Sequence, residues 1–341
     1  MRRHLSIALA ASLLATTATA AETITLRFQH FVSPKVAVPL YFMKPWAEKV
    51  EKDSGGRLKV EIYPRMQLGG KATALYDQIS DGVIDGGWVI PAYTPGRFPE
   101  AEALELPFMT TMDAEGSSRA AWEFTQKHLL DDFSDVHLVA VHVHGPGVVH
   151  KKGAAVKTAS DFQGLKLRGP SRMATDLLKN LGATPVGMPV PAFPEALAKG
   201  VIDGGVIPWE IAPPLKVHEL ADGHTEISAG GRAVYNLYFL WAMNKDSYAA
   251  LPDDLKTIID DNSGIEASAW AGRALVTGDK IGRDIVAANG NEIHVMDEAE
   301  AEIIRSMSEN QVKNWIEDMN RRGFDGNALV EDARTFIKQY E

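Results

Sequence analysis

The stretch Gly164-Leu165-Lys166-Leu167-Arg168-Gly169-Pro170-Ser171-Arg172 decides how the rest of the chain is read. Leu165 and Leu167 alternate with Lys166 and Arg168, the pattern of a short strand with one buried face. Gly169-Pro170 ends that strand, and Ser171 can cap a helix whose apolar stripe is Met173, Leu177 and Leu181. The spacing puts Arg168 at the carboxyl end of a strand, facing the amino end of a helix, where open α/β sheets hold small ligands. A guanidinium is a planar fork matched to a carboxylate, so Arg168 is expected to anchor a small anion. Arg172, one turn into the helix, is expected to be solvated.

Outward from this stretch, one order of elements occurs twice. Residues 26–30 read as a strand, and a helix follows with Leu40, Met43, Ala47 and Val50 on one face. Pro39 falls in its first turn, where proline is tolerated, while Pro45 lies deeper and should bend it. Leu58, Val60 and Ile62 alternate as a second strand, and a helix over 72–80 leads to Gly82-Val83-Ile84-Asp85-Gly86-Gly87. In the second half, the strand at 165–168 is followed by a helix over 171–181, a strand over 184–188 and a short helix over 194–199. These lead to Gly200-Val201-Ile202-Asp203-Gly204-Gly205, the same phrase again. Asp85 and Asp203 are expected to bond local turn backbone.

Strands alternating with helices predict parallel sheets with helices on their faces. The fold class is therefore α/β, in two lobes of one plan. Residues 137–150 and 232–243 read as crossover strands, 252–289 as a long helical stretch with Gly264, Gly272 and Gly278 as candidate bends, and 297–321 and 327–340 as closing helices. The expected division is 21–143 with 233–270 in the first lobe, and 144–232 with 271–341 in the second.

The chain has 341 residues, enough for two such lobes, and a net charge of −10 with no basic block, which argues against nucleic acid as a partner. Arg2 and Arg3, the apolar run over 5–15 and Ala18-Thr19-Ala20 form a signal-peptide pattern over residues 1–20, with cleavage near Ala20. No other stretch approaches the length of a membrane span. There is no cysteine, which removes disulfides, thiol catalysis and cysteine metal sites together. Export to a Gram-negative periplasm and a monomeric state are the expectations.

Aromatic residues recur at the mouths of the strands: Phe31, Trp88, Tyr93, Trp209, Tyr235 and Phe239. Phe31 and Tyr93 are expected in the pocket, and Trp88 and Trp209, each after the repeated phrase, are expected to face each other across the cleft. Phe239 is expected in the core. Glu210 is placed to accept from a ligand hydroxyl or amine, or to meet a cation. Asn236, polar within an apolar crossover strand, and His144 complete the ligand-binding candidates; Gln67 is a weaker one. His142, His144 and His150 have metal-like spacing but no Asp, Glu or Cys in the same segment, so no metal is expected. No G-x-S-x-G, H-E-x-x-H, P-loop or G-x-G-x-x-G motif occurs, and neither catalysis nor a cofactor is expected.

Gln67-Leu68-Gly69-Gly70, the paired Gly-Val-Ile-Asp-Gly phrases and Gly164-Leu165-Lys166-Leu167-Arg168 are joined by Gly182-Ala183-Thr184-Pro185-Val186, Glu195-Ala196-Leu197-Ala198-Lys199-Gly200 and Met243-Asn244-Lys245. In this order they resemble the solute-binding subunits of tripartite ATP-independent periplasmic (TRAP) transporters, over most of the mature chain. The resemblance implies a two-lobed periplasmic-binding-protein clamp that closes on an organic acid and delivers it to integral membrane permease subunits. It also implies that Arg168 binds the ligand carboxylate. Many members carry a second arginine on the crossover segment, where this chain has His142-Val143-His144-Gly145-Pro146-Gly147-Val148-Val149-His150. That departure points away from dicarboxylates and sialic acids, toward a monocarboxylate with an apolar or aryl tail.

Overall fold

The structure, a computed structural model, describes residues 23–341, so the expected signal peptide lies outside the described residues. In chain order, β1 (Ile24–Gln29), α1 (Lys44–Asp53), β2 (Leu58–Tyr63), α2 (Leu75–Ser80) and β3 (Gly86–Val89) make the first run. Helix α3 (Ala114–His128) precedes β4 (Val136–Val143), and the chain then passes to β5 (Gly147–Lys151). The second run is β6 (Lys166–Gly169), α4 (Arg172–Asn180), β7 (Thr184–Gly187), α5 (Phe193–Ala198) and β8 (Gly204–Pro208). Strand β9 (Gly223–Glu226) and a hairpin of β10 (Ser228–Ala229) and β11 (Arg232–Ala233) lead to β12 (Tyr238–Asn244). Helices α6 (Lys245–Ala249), α7 (Asp253–Asp261) and α8 (Ile265–Ala288), strand β13 (Glu292–Val295), and helices α9 (Glu298–Arg321) and α10 (Gly326–Gln339) finish the chain.

The two runs build two sheets. The first has the order β2-β1-β3-β12-β4, with β1 parallel to β2 and β3 and with β12 antiparallel between β3 and β4. The second has the order β13-β9-β5-β8-β6-β7, with β6 parallel to β7 and β8 and with β5 antiparallel between β8 and β9. Each parallel trio is thus extended by an antiparallel strand that has crossed from the other half of the chain. The 137–150 stretch breaks at His144-Gly145-Pro146 into strands of different sheets, and the 232–243 stretch breaks into β11 and β12.

The repeated phrase has one job in both lobes. Asp85 accepts from Arg27 N at 2.8 Å, and its own N–H donates to Arg27 O at 2.9 Å. Asp203 does the same with Lys166, at 2.8 Å in both directions. These carboxylates therefore tie the third strand of each trio to its neighbour instead of bonding their own turns, as the pattern had suggested.

Proline and glycine set the helix breaks. Pro45 has no N–H for the carbonyl of Tyr41, and the helix widens into a π turn over Pro39–Met43, where Lys44 N–H bonds Pro39 O. The freed Tyr41 carbonyl accepts from Trp270 Nε1 of α8 at 3.0 Å. The helical stretch over 252–289 breaks into α7 and α8 at Gly264, one of its candidate bends, whose φ of +87° is poorly accessible to other residues, and α8 continues through Gly272 and Gly278. Helix α8 then runs behind both lobes at backbone distance. A Cβ on Gly278 would lie 2.3 Å from Ala37 Cβ of the first lobe and 2.8 Å from Glu210 Cβ of the second. A Cβ on Gly282 would lie 2.2 Å from Trp209 O. Helix α10 returns to the first lobe, where Asp332 pairs with Lys127 and His128 of α3. The assignment of all of 271–341 to the second lobe does not describe that packing.

Candidate functional site

A cavity with about 350 Å³ of empty space lies where the two lobes meet. The first lobe contributes Phe31, Trp88, Ile90 and Tyr93 to its wall, and the second contributes Arg168, Val190, Ile207, Pro208, Glu210 and Ile211. The crossover segments add His144, Tyr235, Leu237 and Phe239. Every one of these residues is buried, so the clamp is closed.

Arg168 is set by its strand and its neighbours, as the opening stretch predicts. Ser171 Oγ caps α4 by accepting from Ala174 N, and Met173, Leu177 and Leu181 are buried beneath it. The guanidinium donates from Nε to Met188 O at 3.0 Å and from Nη1 to Val206 O at 2.9 Å, and it rests on the Phe193 ring. Nη2 is buried without a partner, as is the hydroxyl of Tyr235. Burial pushes the phenols of Tyr235 and Tyr93 up against the opposing pull of the Arg168 charge, so both are neutral hydroxyls. Tyr93, on the first lobe, accepts from Val190 N of the second at 2.9 Å. A buried donor left unsatisfied costs roughly 1–3 kcal/mol. Such a donor beside a fixed positive charge is complementary to a carboxylate.

The rest of the wall is apolar and flat. Phe31 stacks on Trp88 at 5.0 Å and 5°, Trp88 on Phe239 at 4.9 Å and 13°, and Phe239 on His142 at 4.7 Å and 4°. Behind this stack Trp88 Nε1 donates to His142 Nε2 at 2.8 Å. Burial lowers His142 to about 3, which keeps it neutral and able to accept. Phe239, expected in the core, is therefore a cavity wall.

Glu210 lies where three elements join. Its Oε2 accepts from Ala37 N at 3.4 Å, in the turn that starts the first helix of the first lobe. Its own N–H donates to Asp279 of α8 at 2.8 Å. Burial, reinforced by the Asp279 charge, pushes Glu210 up to about 8, and burial pushes Asp279 up to about 7.

The remaining candidates divide. Trp209 does not line the cavity: it packs with Val148, Val286 and Ile293, and its Nε1 donates to Glu226 at 2.7 Å. Asn236 lies between the wall residues Tyr235 and Leu237 without lining the cavity itself, and its buried Oδ1 and Nδ2 have no partner. The three histidines go to three places. His142 backs the aromatic stack, His144 lines the cavity, and His150 pairs with His224 in the second sheet at 2.6 Å. Arg172 is not simply solvated, because it grips Glu102 with two nitrogens while Trp315 Nε1 donates to the same carboxylate. The aliphatic wall of Ile90, Val190, Ile207, Ile211 and Leu237 escaped the sequence reading, since apolar strand-end residues look alike whether they face core or ligand.

Two lobes closing on a buried cavity with one arginine and an aromatic wall define a clamp-type solute receptor. The chain belongs to the bacterial extracellular solute-binding protein family 7, whose model matches residues 28–318. It is similar to a TRAP solute-binding protein from Rhodoferax ferrireducens crystallised with copurified benzoate, at 50% identity and a TM-score of 0.91, over 93% of this chain and 98% of that one. A marine metagenome TRAP solute-binding protein specific for aromatic acids, in complex with 3-hydroxybenzoate, is 44% identical with a TM-score of 0.91, over 94% and 99%. A third, from Bordetella bronchiseptica with bound (R)- and (S)-mandelate, is 31% identical with a TM-score of 0.85, over 93% and 100%. The family is one of receptors outside the cytoplasm, and this chain is one of them. Among the described residues no helix is long and apolar enough to cross a membrane.

Proposed function

We propose that this protein is the receptor for a small aromatic monocarboxylate, which it hands to the membrane subunits of a TRAP transporter without altering it chemically. The observation that carries the reading is the buried, unpartnered Nη2 of Arg168 together with the free hydroxyl of Tyr235, in a cavity walled mainly by aromatic and aliphatic side chains. Among the described residues Arg168 is the one cation lining that cavity, so one carboxylate is matched and a second is left uncompensated. A charge-assisted bond to that carboxylate contributes about 1.5–3 kcal/mol. Burying a phenyl-sized group against the Phe31–Trp88–Phe239 wall contributes about as much. The aromatic acids held by the similar receptors fit both halves of this site. Arg168, Val190, Ile207 and Ile211 come from the second lobe and Phe31 and Trp88 from the first, so the ligand completes the interface between lobes and favours closure.

The test is isothermal titration of the mature chain with benzoate, 3-hydroxybenzoate and phenylacetate, set against succinate and a hexuronate. Tight, stoichiometric binding of an aryl acid, recovered unchanged by chromatography after hours with the protein, is the expected result. Binding confined to dicarboxylates or sugar acids, or conversion of the acid, overturns the reading.

A further inference from the structure

Three buried polar atoms around the cavity lack partners, and they are not of one kind. Arg168 Nη2 and the Tyr235 hydroxyl donate, and both suit a carboxylate. The third is His144 Nε2. The His144 Nδ1 lies 2.5 Å from Gly145 O. A carbonyl oxygen can only accept, so the ring hydrogen is on Nδ1 and Nε2 carries a lone pair. The backbone holds this arrangement, because Gly145 opens the bend between β4 and β5 and His144 N donates to Leu237 O at 3.3 Å. Tyr235 and Phe239 meet the imidazole edge-on, at 5.1 and 6.1 Å, and fix its plane.

Arg168, His142 and Tyr235 face this ring, Glu210 shares the cavity wall with it, and Asp279 lies against the neighbouring Gly145. Neither carboxyl bonds the ring, and burial pushes both up, Glu210 to about 8 and Asp279 to about 7. Burial, reinforced by the Arg168 charge, lowers His144 to about 4. A neutral ring with its hydrogen already committed cannot donate to an anion. Its free nitrogen needs a hydrogen from whatever occupies the cavity.

We propose that His144 Nε2 is a specificity determinant that accepts a hydrogen bond from a hydroxyl group on the ligand, so that the receptor selects hydroxy-substituted aromatic acids over their unsubstituted parents. The inference rests on the reading of the cavity as an aryl-acid site. An acid without the hydroxyl leaves the nitrogen buried and unsatisfied, the situation in which a site built for a hydroxyl rejects the analogue lacking it. His144 and Arg168 line the same cavity, so an α-hydroxy acid and each ring-hydroxyl isomer are candidates for this bond.

The experiment is calorimetry on the mature protein with matched pairs: benzoate against 2-, 3- and 4-hydroxybenzoate, and phenylacetate against mandelate. Each titration is run at pH 7.5 in phosphate and in Tris, whose ionisation enthalpies differ. The expected result is at least one hydroxy acid binding tenfold or more tighter than its parent, with no proton taken up on binding. In His144→Phe that preference falls below threefold, and His144→Gln, which restores an acceptor, recovers part of it. Equal affinity for all members of each pair overturns the inference. So does a preference that survives His144→Phe, or uptake of one proton per ligand, which would make the ring a cationic donor. The pairings and the proton count use the unmodified protein, so they decide the matter even if a variant fails to fold. Failure of the unmodified protein to bind any of these acids overturns the aryl-acid reading itself, a separate outcome from binding without hydroxyl preference.

Discussion

Arg172, at the start of α4, holds both carboxylate oxygens of Glu102 across the boundary between the lobes, and Trp315 of α9 donates to the same group at 3.0 Å. The pair joins the segment after β3 to the helix that follows the strand carrying Arg168. The Arg172 side chain is 37% exposed and that of Glu102 is 11% exposed, so screening limits what the pair contributes. It acts as a latch in the closed state. Arg172→Ala and Glu102→Gln are each expected to speed ligand release about three- to tenfold, with little change in association, as stopped-flow kinetics will read. A double-mutant cycle should return a coupling of about 1 kcal/mol. Fully additive effects on release would show that the pair does not hold the clamp shut.

Arg168→Lys keeps the charge but loses the fork. A lysine cannot donate to Met188 O and Val206 O while offering a further hydrogen to the ligand, as the guanidinium does. Affinity for the best aryl acid should fall about 100-fold, close to 3 kcal/mol, with the circular-dichroism spectrum unchanged. Arg168→Ala should abolish measurable binding. Near-native affinity in either variant would remove Arg168 from the site.

The two tryptophans near the repeated phrase should behave oppositely. Trp88 stands in the aromatic wall, and Trp88→Ala is expected to weaken binding tenfold or more. Trp209 bonds Glu226, which Arg283 of α8 also engages. Trp209→Phe should leave affinity within twofold and lower the melting temperature by about 2 °C, through one lost hydrogen bond. Titration and differential scanning calorimetry on the two variants check both statements.

Stability should fall as pH rises through neutrality. Burial raises Glu210 to about 8 from 4.5, Asp279 to about 7 from 3.8 and Glu105 to about 8 from 4.5. A carboxyl whose folded value is raised stabilises the fold at low pH, and that contribution is lost as pH climbs through the folded value. His142 and His144 are lowered from 6.5, so they work in the opposite sense, but only below pH 6.5, where the unfolded chain takes up their protons. Between pH 6.5 and 8.5 the carboxyls therefore act without that opposition. The melting temperature of the empty protein should drop by roughly 3 °C or more over that range, and Glu210→Gln should flatten the slope. A melting temperature that rises over this window would contradict the assignment of Glu210 as a buried neutral acid.

Much of this architecture was legible in the residues because backbone chemistry announces itself. The Gly-Pro-Ser after Arg168, the twice-used Gly-Val-Ile-Asp-Gly-Gly and the alternating apolar pairs specify turns, caps and strands locally, and those became β6, α4, β3 and β8. The π turn ahead of Pro45 follows from a missing N–H. Side-chain direction was less legible. With the two phrases in register, Trp88 falls opposite Val206 and Trp209 opposite Pro91, so the tryptophans are not equivalent and only Trp88 reaches the cavity. Phe239 and Arg172 were misplaced for a related reason. Whether an aromatic residue on a crossover strand meets core or cavity, and whether an arginine meets water or Glu102, depends on segments far away in the chain.

Glycines 278 and 282 leave no side chain between α8 and the two segments that meet on it, Ala37 from one lobe and Trp209-Glu210 from the other. Helix backbone pressed on two Cβ atoms and a carbonyl is a rigid stop with no rotamer to yield, so the lobes arrive at one shut geometry whichever acid they enclose. Fit is then decided by whether a guest lets the jaws reach that stop. An acid too bulky for the aromatic wall leaves them ajar, held by Arg168 yet not presented in the shape a membrane partner reads as loaded. Retention and delivery thereby become separate properties, and a tightly held compound can block uptake without ever being taken up.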